Sequence, residues 1–183
     1  MKMNLPNKLT LLRVILIPFF VAALLYEDGD YTPARWLALG IFLFASFTDF
    51  LDGYIARKYH LITNFGKFMD PLADKLLVCS ALICFVGLME LSPLVTLAVV
   101  AREFIISGFR LIAAERGTVI AAGIWGKLKT VSQMICIVLL LLRPDENSFT
   151  GMITAFFVWL MLALTLISLA EYIWKNREVL REG

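Results

Sequence analysis

Six long apolar runs, separated by short polar breaks, constrain this 183-residue chain more than any other feature of its sequence. Most approach the length of about 20 residues that an α-helix needs to cross roughly 30 Å of bilayer hydrocarbon. The chain is 60% hydrophobic and only 17% charged, so a soluble fold would have to hide all six runs in one small core. The runs cover residues 9–25, 34–50, 72–91, 93–114, 120–142 and 149–174. We therefore predict an all-α integral membrane protein with six transmembrane helices in one domain, 1–183, preceded by a short amphipathic segment within 5–13.

The positions of the basic residues predict the orientation of these spans. Six spans place both termini on one side of the membrane. If that side is the cytoplasm, all but Arg35 and Arg143 of the 17 Lys and Arg lie at or toward it, which is the usual bias of membrane proteins. We expect a multi-pass protein of the cytoplasmic (inner) membrane.

Other features of the sequence argue against several classes of function. A net charge of +2, with the basic residues in short separate clusters, does not favour nucleic acid as a partner. Cys79, Cys84 and Cys136 lie in apolar runs without CxxC spacing, so they predict neither disulfides nor a zinc site. The single histidine, His60, falls in a polar loop, and no Ser-His-Asp or Cys-His set offers a covalent route.

Four aspartates at the borders of the second and third apolar runs form the main candidate site. Asp49 and Asp52 are three residues apart, and Asp70 and Asp74 are four apart, so each pair projects from one face of a helix. If the two helices pack antiparallel, the four carboxylates converge, and such close like charges need cations between them. Hard oxygen ligands suit Mg or Mn. Acids at membrane depth usually face an internal cavity, which strengthens the prediction of a metal site.

Small and basic residues beside the acids suit a phosphate ligand. Gly53 and Ala56 remove side-chain bulk, so that a pyrophosphate could approach the backbone, and Arg57 can donate a fork of hydrogen bonds to it. Gly66 is expected to let the intervening loop turn tightly. The structural alternative for single residues stays open, since Asp49 could cap a turn and Arg57 could pair with an acid.

The residues from 49 to 74 read Asp-x2-Asp-Gly-x2-Ala-Arg-x8-Gly-x3-Asp-x3-Asp, and this pattern resembles the complete signature of the CDP-alcohol phosphatidyltransferase family. The resemblance implies the fold of that family, a homodimer and a site for two divalent cations, Mg or Mn. It also implies that Asp49, Asp52 and Asp70 are metal ligands. Asp74 would be the general base and a further ligand.

The same resemblance implies a binding site for a CDP-linked lipid. Gly53 and Arg57 would contact the diphosphate, and Thr63 matches a position that contacts the donor. The run at 7–13 resembles the family's N-terminal Asn-x2-Thr element, which would place Asn7 and Thr10 near the nucleotide. A polar helix start is the alternative interpretation of these two residues.

Cations within the later apolar runs indicate an acceptor that carries phosphate. Arg102 and Arg110 are eight residues apart in one run, while Lys127 and Lys129 begin the next. Topology explains Lys127, but it does not require guanidinium groups so far inside a span. A cationic pocket would suit a phosphorylated alcohol, and the elements at 102–117 and 126–133 resemble the phosphatidylglycerophosphate synthase branch of the family.

The resemblance therefore implies an enzyme that transfers the phosphatidyl group of CDP-diacylglycerol to sn-glycerol 3-phosphate, giving phosphatidylglycerol phosphate and CMP. Inositol phosphate or serine as the acceptor remains an alternative. A small cation transporter is the rival from another class, although transporters tend to place such acids near the bilayer midplane and to repeat their halves, and no repeat is evident here. A catalytically inactive subunit is disfavoured by the presence of all four acids.

Overall fold

The structure is a computed structural model that describes residues 4–59, 64–115, 123–143 and 148–177. Within these ranges the side chains are described except at positions 53, 56, 57, 64, 65, 67, 68, 114 and 115. The described residues form helices and turns, without a strand, which confirms the all-α prediction. The six α-helices are α1 (Leu5–Leu25), α2 (Thr32–Lys58), α3 (Asn64–Gly87), α4 (Pro93–Glu115), α5 (Ile124–Leu141) and α6 (Phe149–Lys175).

Four of these helices, α1, α2, α5 and α6, are long and apolar enough to cross a membrane. This is the composition of a multi-pass membrane protein. The other two, α3 and α4, are also long, with 24 and 23 residues, but they carry charged residues of the candidate site, including Asp70 and Asp74 on α3 and Arg102 and Arg110 on α4. Over residues 4–59, 64–115, 123–143 and 148–177 the structure therefore has six α-helices and, by length and composition, four candidate spans.

Two helix starts differ from the sequence predictions. Residues 5–13 were expected to include a separate amphipathic segment, but they are the first turns of one unbroken helix, α1. The side chain of Asn4 caps this helix by accepting a 3.1 Å hydrogen bond from the backbone N–H of Asn7. Gly66 was expected to lie in a loop, but α3 begins at Asn64, so Gly66 lies in the first helical turn. Both helices begin earlier than predicted because a polar first turn has no apolar periodicity that marks it as helix.

The chain divides into two compact units, which are called here the N-terminal unit, Met1–Glu90, and the C-terminal unit, Leu91–Gly183. In the N-terminal unit, α1 packs against both α2 and α3. The buried face of α1 contains polar residues in its first half and apolar residues in its second half. In the C-terminal unit, α6 packs against both α4 and α5.

A tight turn joins α1 to α2 in the N-terminal unit. Glu27, Asp28 and Gly29 all have positive φ there. The guanidinium of Arg35, at the start of α2, donates to the backbone carbonyl of Gly29 at 3.1 Å and forms two bonds of 2.6 and 2.7 Å to the Glu90 carboxylate. This partly buried pair ties the turn to the residues that follow α3.

Candidate active site

Arg13 joins two of the predicted metal ligands in the N-terminal unit. Its side chain is completely buried, and its two terminal nitrogens lie 2.7 Å from Asp49 and 2.6 Å from Asp52. The Nε atom donates to the backbone carbonyl of Ala45 at 3.3 Å. A guanidinium suits this position because its fixed fork can meet two carboxylates at once. Arg13 thereby holds both acids of α2 against α1.

Thr10 provides a second link, from α1 to α3. Its buried hydroxyl lies within hydrogen-bond distance of the Asp70 carboxylate and 3.1 Å from the backbone carbonyl of Pro6. Asp70 is also close enough to Asp49 and Asp52 for its charge to act on both. Three of the four predicted acids therefore meet at the polar face of α1.

Asp74 lies one turn beyond Asp70 on α3 and is partly buried. Asn7 is buried in the first turn of α1, one turn before Thr10, and Gly66 is buried in the first turn of α3. The side chains of Ala56 and Arg57, with position 53, and the whole of Thr63 and His60 lie outside the described residues. The predicted roles of these residues stay predictions.

The donor set fits a hard divalent cation by charge and by chemistry. Asp49, Asp52, Asp70 and Arg13 carry three negative charges and one positive charge, which leaves two net negative charges. Carboxylate oxygens are the ligands that Mg and Mn prefer. Among the described side chains, no group of three or more His, Cys, Asp or Glu is already arranged around a metal position. Arg13 itself supplies the cation between Asp49 and Asp52 in this arrangement.

A second charged cluster lies in the C-terminal unit, and Glu103 is at its centre. Its carboxylate accepts hydrogen bonds from Arg102 at 2.9 Å and from Lys129 at 2.5 Å. Lys129 is completely buried, and it also donates to the side-chain oxygen of Gln133. Arg102 reaches α6 through a 3.2 Å bond from Nε to Ser168. The cluster thus joins α4, α5 and α6.

Gly126 on α5 lies beside the side chain of Arg102 from α4. A Cβ atom at position 126 would lie 3.2 Å from a terminal nitrogen of Arg102. Glycine therefore leaves room for the guanidinium beside α5. The other two predicted acceptor residues, Arg110 and Lys127, have exposed side chains. The structure brings Arg102 and Lys129 together and leaves Arg110 and Lys127 at the surface of the unit.

Sequence reasoning missed four polar residues of these clusters, namely Arg13, Glu103, Gln133 and Ser168. A signal for two of them was present. Arg13 follows Thr10 by three residues on an apolar helix, which places both on one face. Glu103 is an acid within an apolar run beside Arg102, and charged residues in such runs usually have partners. Gln133 and Ser168 carry no comparable signal.

Comparisons with known proteins agree with the signature at 49–74. The sequence profile of the CDP-alcohol phosphatidyltransferase family matches residues 3–167. A protein of Bacillus subtilis (strain 168) named CDP-diacylglycerol--glycerol-3-phosphate 3-phosphatidyltransferase is 46% identical over 97% of both chains. Proteins with the same name from Pseudomonas fluorescens and Sodalis glossinidius (strain morsitans) are each 39% identical, over 93% and 100% of this chain and 89% and 100% of their own. This chain therefore belongs to the CDP-alcohol phosphatidyltransferase family of enzymes.

Proposed function

We propose that this enzyme transfers the phosphatidyl group of CDP-diacylglycerol to sn-glycerol 3-phosphate, forming phosphatidylglycerol phosphate and releasing CMP. The observation that carries the proposal is the assembly of Asp49, Asp52 and Asp70 around Arg13 and Thr10. These acids belong to the signature that the family profile covers. The names of the three relatives support the choice of donor and acceptor.

In this proposal the acidic cluster binds two divalent cations, Mg or Mn, through Asp49, Asp52, Asp70 and Asp74. When bound, such cations neutralise negative charge on a diphosphate. Arg13 reduces the repulsion between Asp49 and Asp52, so that both carboxylates stay close and oriented. Thr10 restrains Asp70 through the hydrogen bond that its hydroxyl donates to the carboxylate.

Asp74 is proposed as the general base. It accepts the proton of the acceptor hydroxyl, whose oxygen forms the new bond to phosphorus while the bond from phosphorus to the CMP oxygen breaks. The leaving CMP carries the electron pair of that bond as phosphate charge. Binding of CDP-diacylglycerol is assigned to Asn7, Thr10, Gly53, Ala56, Arg57, Thr63 and Gly66.

The basic cluster of the C-terminal unit is proposed to bind the phosphate of the acceptor. Arg102, Lys129 and Glu103 together carry one net positive charge in a buried setting, where an anion interacts strongly with it. Arg110 and Lys127 add positive charge from exposed positions. Serine lacks phosphate and does not match this charge, whereas inositol phosphate does and remains the second candidate acceptor.

The proposed setting is the cytoplasmic membrane, with the site facing the cytoplasm. The bias of Lys and Arg toward one side supports this orientation. The acyl chains of the donor would then reach the site laterally from the bilayer. A homodimer is proposed on the family resemblance.

An acceptor panel tests the reaction, the cofactor and the substrate together. Purified enzyme with CDP-diacylglycerol is given sn-glycerol 3-phosphate, inositol phosphate, serine or free glycerol, with Mg, with Mn or with a chelator. We expect CMP release that requires metal and is fastest with sn-glycerol 3-phosphate. Faster release with another alcohol would reject the acceptor, and the absence of CMP release with every acceptor would favour the transporter alternative.

A further inference from the structure

Gln133 occupies an unusual position in the basic cluster of the C-terminal unit. It follows Lys129 by one turn of α5, its side chain is only 4% exposed, and its amide oxygen accepts a hydrogen bond from the Lys129 ammonium. An ammonium group can only donate, so chemistry fixes the orientation of the amide: the oxygen faces Lys129 and the nitrogen faces away.

The amide nitrogen of Gln133 is buried and has no hydrogen-bond acceptor in the described part of the chain. A buried donor without a partner is costly, and native proteins rarely keep one without a reason. The hydrogen bond from Lys129 accounts for the amide oxygen of Gln133 but not for its amide nitrogen. The two N–H groups of the nitrogen need a hydrogen-bond acceptor, and the described residues do not provide one.

The charge of the cluster indicates the chemistry of that acceptor. Arg102, Lys129 and Glu103 leave one net positive charge. A carboxylate at position 133 would also accept from Lys129, but it would cancel this charge. An amide accepts from Lys129, keeps the charge and adds neutral donors. That combination suits an anionic oxygen, as in a phosphate group.

We propose that Gln133 is a specificity-determining residue that donates from its amide nitrogen to a phosphate oxygen of the acceptor alcohol. This inference rests on the proposed function, because it identifies a contact within the proposed acceptor site. Lys129 acts on the substrate partly through Gln133, since it holds the amide in the donating orientation. Glu103 in turn holds Lys129.

The first test is Gln133→Met, which keeps the length of the side chain and removes both donors. We expect the KM for sn-glycerol 3-phosphate to rise about tenfold, the usual scale for one hydrogen bond to a charged group. The kcat and the KM for CDP-diacylglycerol should change less than about twofold. Binding of sn-glycerol 3-phosphate without donor, measured by calorimetry, should weaken by the same factor as the KM rises. The matched control is Thr130→Val, an exposed position of the same helix, which should leave all three constants unchanged.

The second test separates the donor from the charge. Gln133→Glu should raise the KM for sn-glycerol 3-phosphate more than Gln133→Met, because it also cancels the positive charge. The double variant Glu103→Gln with Gln133→Glu restores the net charge around Lys129 but leaves no amide donor at 133. The thermal stability of the double variant should be higher than that of Gln133→Glu and close to the wild-type value. Its KM for sn-glycerol 3-phosphate should stay above the wild-type value.

Three outcomes would overturn the inference. A folded Gln133→Met variant with an unchanged KM for sn-glycerol 3-phosphate would show that Gln133 does not bond the acceptor phosphate. Recovery of that KM in the double variant would show that charge alone matters. A loss of kcat and of affinity for both substrates together would indicate a purely structural role. A wild-type enzyme that prefers an alcohol without phosphate would instead reject the proposed function itself.

Discussion

Two buried clusters of charged side chains, one in each unit, have opposite compositions. In the N-terminal unit a single guanidinium, that of Arg13, contacts two carboxylates. In the C-terminal unit a single carboxylate, that of Glu103, contacts two cations. Each cluster compensates part of its own charge internally, yet one is left negative and the other positive.

In the proposed reaction the opposite signs correspond to different parts of a phosphatidyl transfer. The negative cluster is proposed to bind metal and take up a proton, and the positive cluster is proposed to bind a phosphate. Changes in the acidic cluster should therefore act mainly on kcat and on the metal requirement. Changes in the basic cluster should act mainly on the KM for the acceptor.

The largest effect is expected from Asp74→Asn. If Asp74 is the general base, kcat should fall about 10²- to 10⁴-fold, because the amide cannot accept the proton. Both KM values should change little. Steady-state assays of CMP release measure this. Asp28→Asn, at an exposed acid in the turn between α1 and α2, is the control and should retain full turnover. Full turnover of Asp74→Asn would reject the base assignment.

Arg13→Ala should destabilise the protein by about 3–5 kcal/mol, because it leaves Asp49 and buried Asp52 without their counter-ion. Added Mg or Mn should restore part of the loss, since a dication supplies the missing charge. Thermal unfolding in detergent, with and without metal, checks both points. Arg13→Lys should fall between wild type and Arg13→Ala, because an ammonium lacks the fork that meets two acids.

Arg35→Ala is the matched control for Arg13→Ala. Arg35 is equally buried and bonds Glu90 through both terminal nitrogens, but it lies at the turn that joins α1 and α2. Its loss should lower stability by a similar amount, and metal should not restore it. If Mg restored the stability of both variants equally, its effect would not depend on binding at the acidic cluster.

A smaller effect is expected from Arg110→Ala in the C-terminal unit. Arg110 is exposed on α4, and its loss should raise the KM for sn-glycerol 3-phosphate about tenfold through one charged hydrogen bond. The KM for CDP-diacylglycerol should stay near its wild-type value. An equal rise in both KM values would show that Arg110 does not act on acceptor binding alone.

The smallest effect is expected from Lys175→Ala. Lys175 is 67% exposed and pairs with Glu171 one turn earlier on α6, outside both clusters. Exposed pairs of this kind contribute little, so stability should change by less than about 0.5 kcal/mol and the kinetic constants should not change. A larger loss would mean that the end of α6 supports the basic cluster.

The sequence predicted much of the fold because membrane helices are encoded locally. Apolar runs of sufficient length identify α1, α2, α5 and α6 without reference to any tertiary contact. The helix starts at Leu5 and Asn64 were harder to predict, because a polar first turn resembles a loop in sequence. The prediction of a loop role for Gly66 was wrong for the same reason.

The sequence predicted the four acids of the candidate site. It did not predict which distant side chains pair with the charged residues of the two clusters. Spacing placed Asp49 with Asp52 and Asp70 with Asp74, since residues three or four apart share a helix face. Spacing could not pair Arg13 with Asp52, which lies 39 residues away, or Lys129 with Glu103, which lies 26 residues away. Such pairs depend on which helix faces meet.

The amino-acid sequence by itself determined a helical membrane protein and the stretch of aspartates that relates it to its family, because helix length, hydropathy and residue spacing are properties of a single segment. The tertiary structure alone decided that Arg13 and Thr10 gather the acids, that Glu103 gathers two cations, and that the amide nitrogen of Gln133 is buried without an acceptor among the described residues. These features arise only when segments distant in sequence pack together and their buried polar groups must find partners.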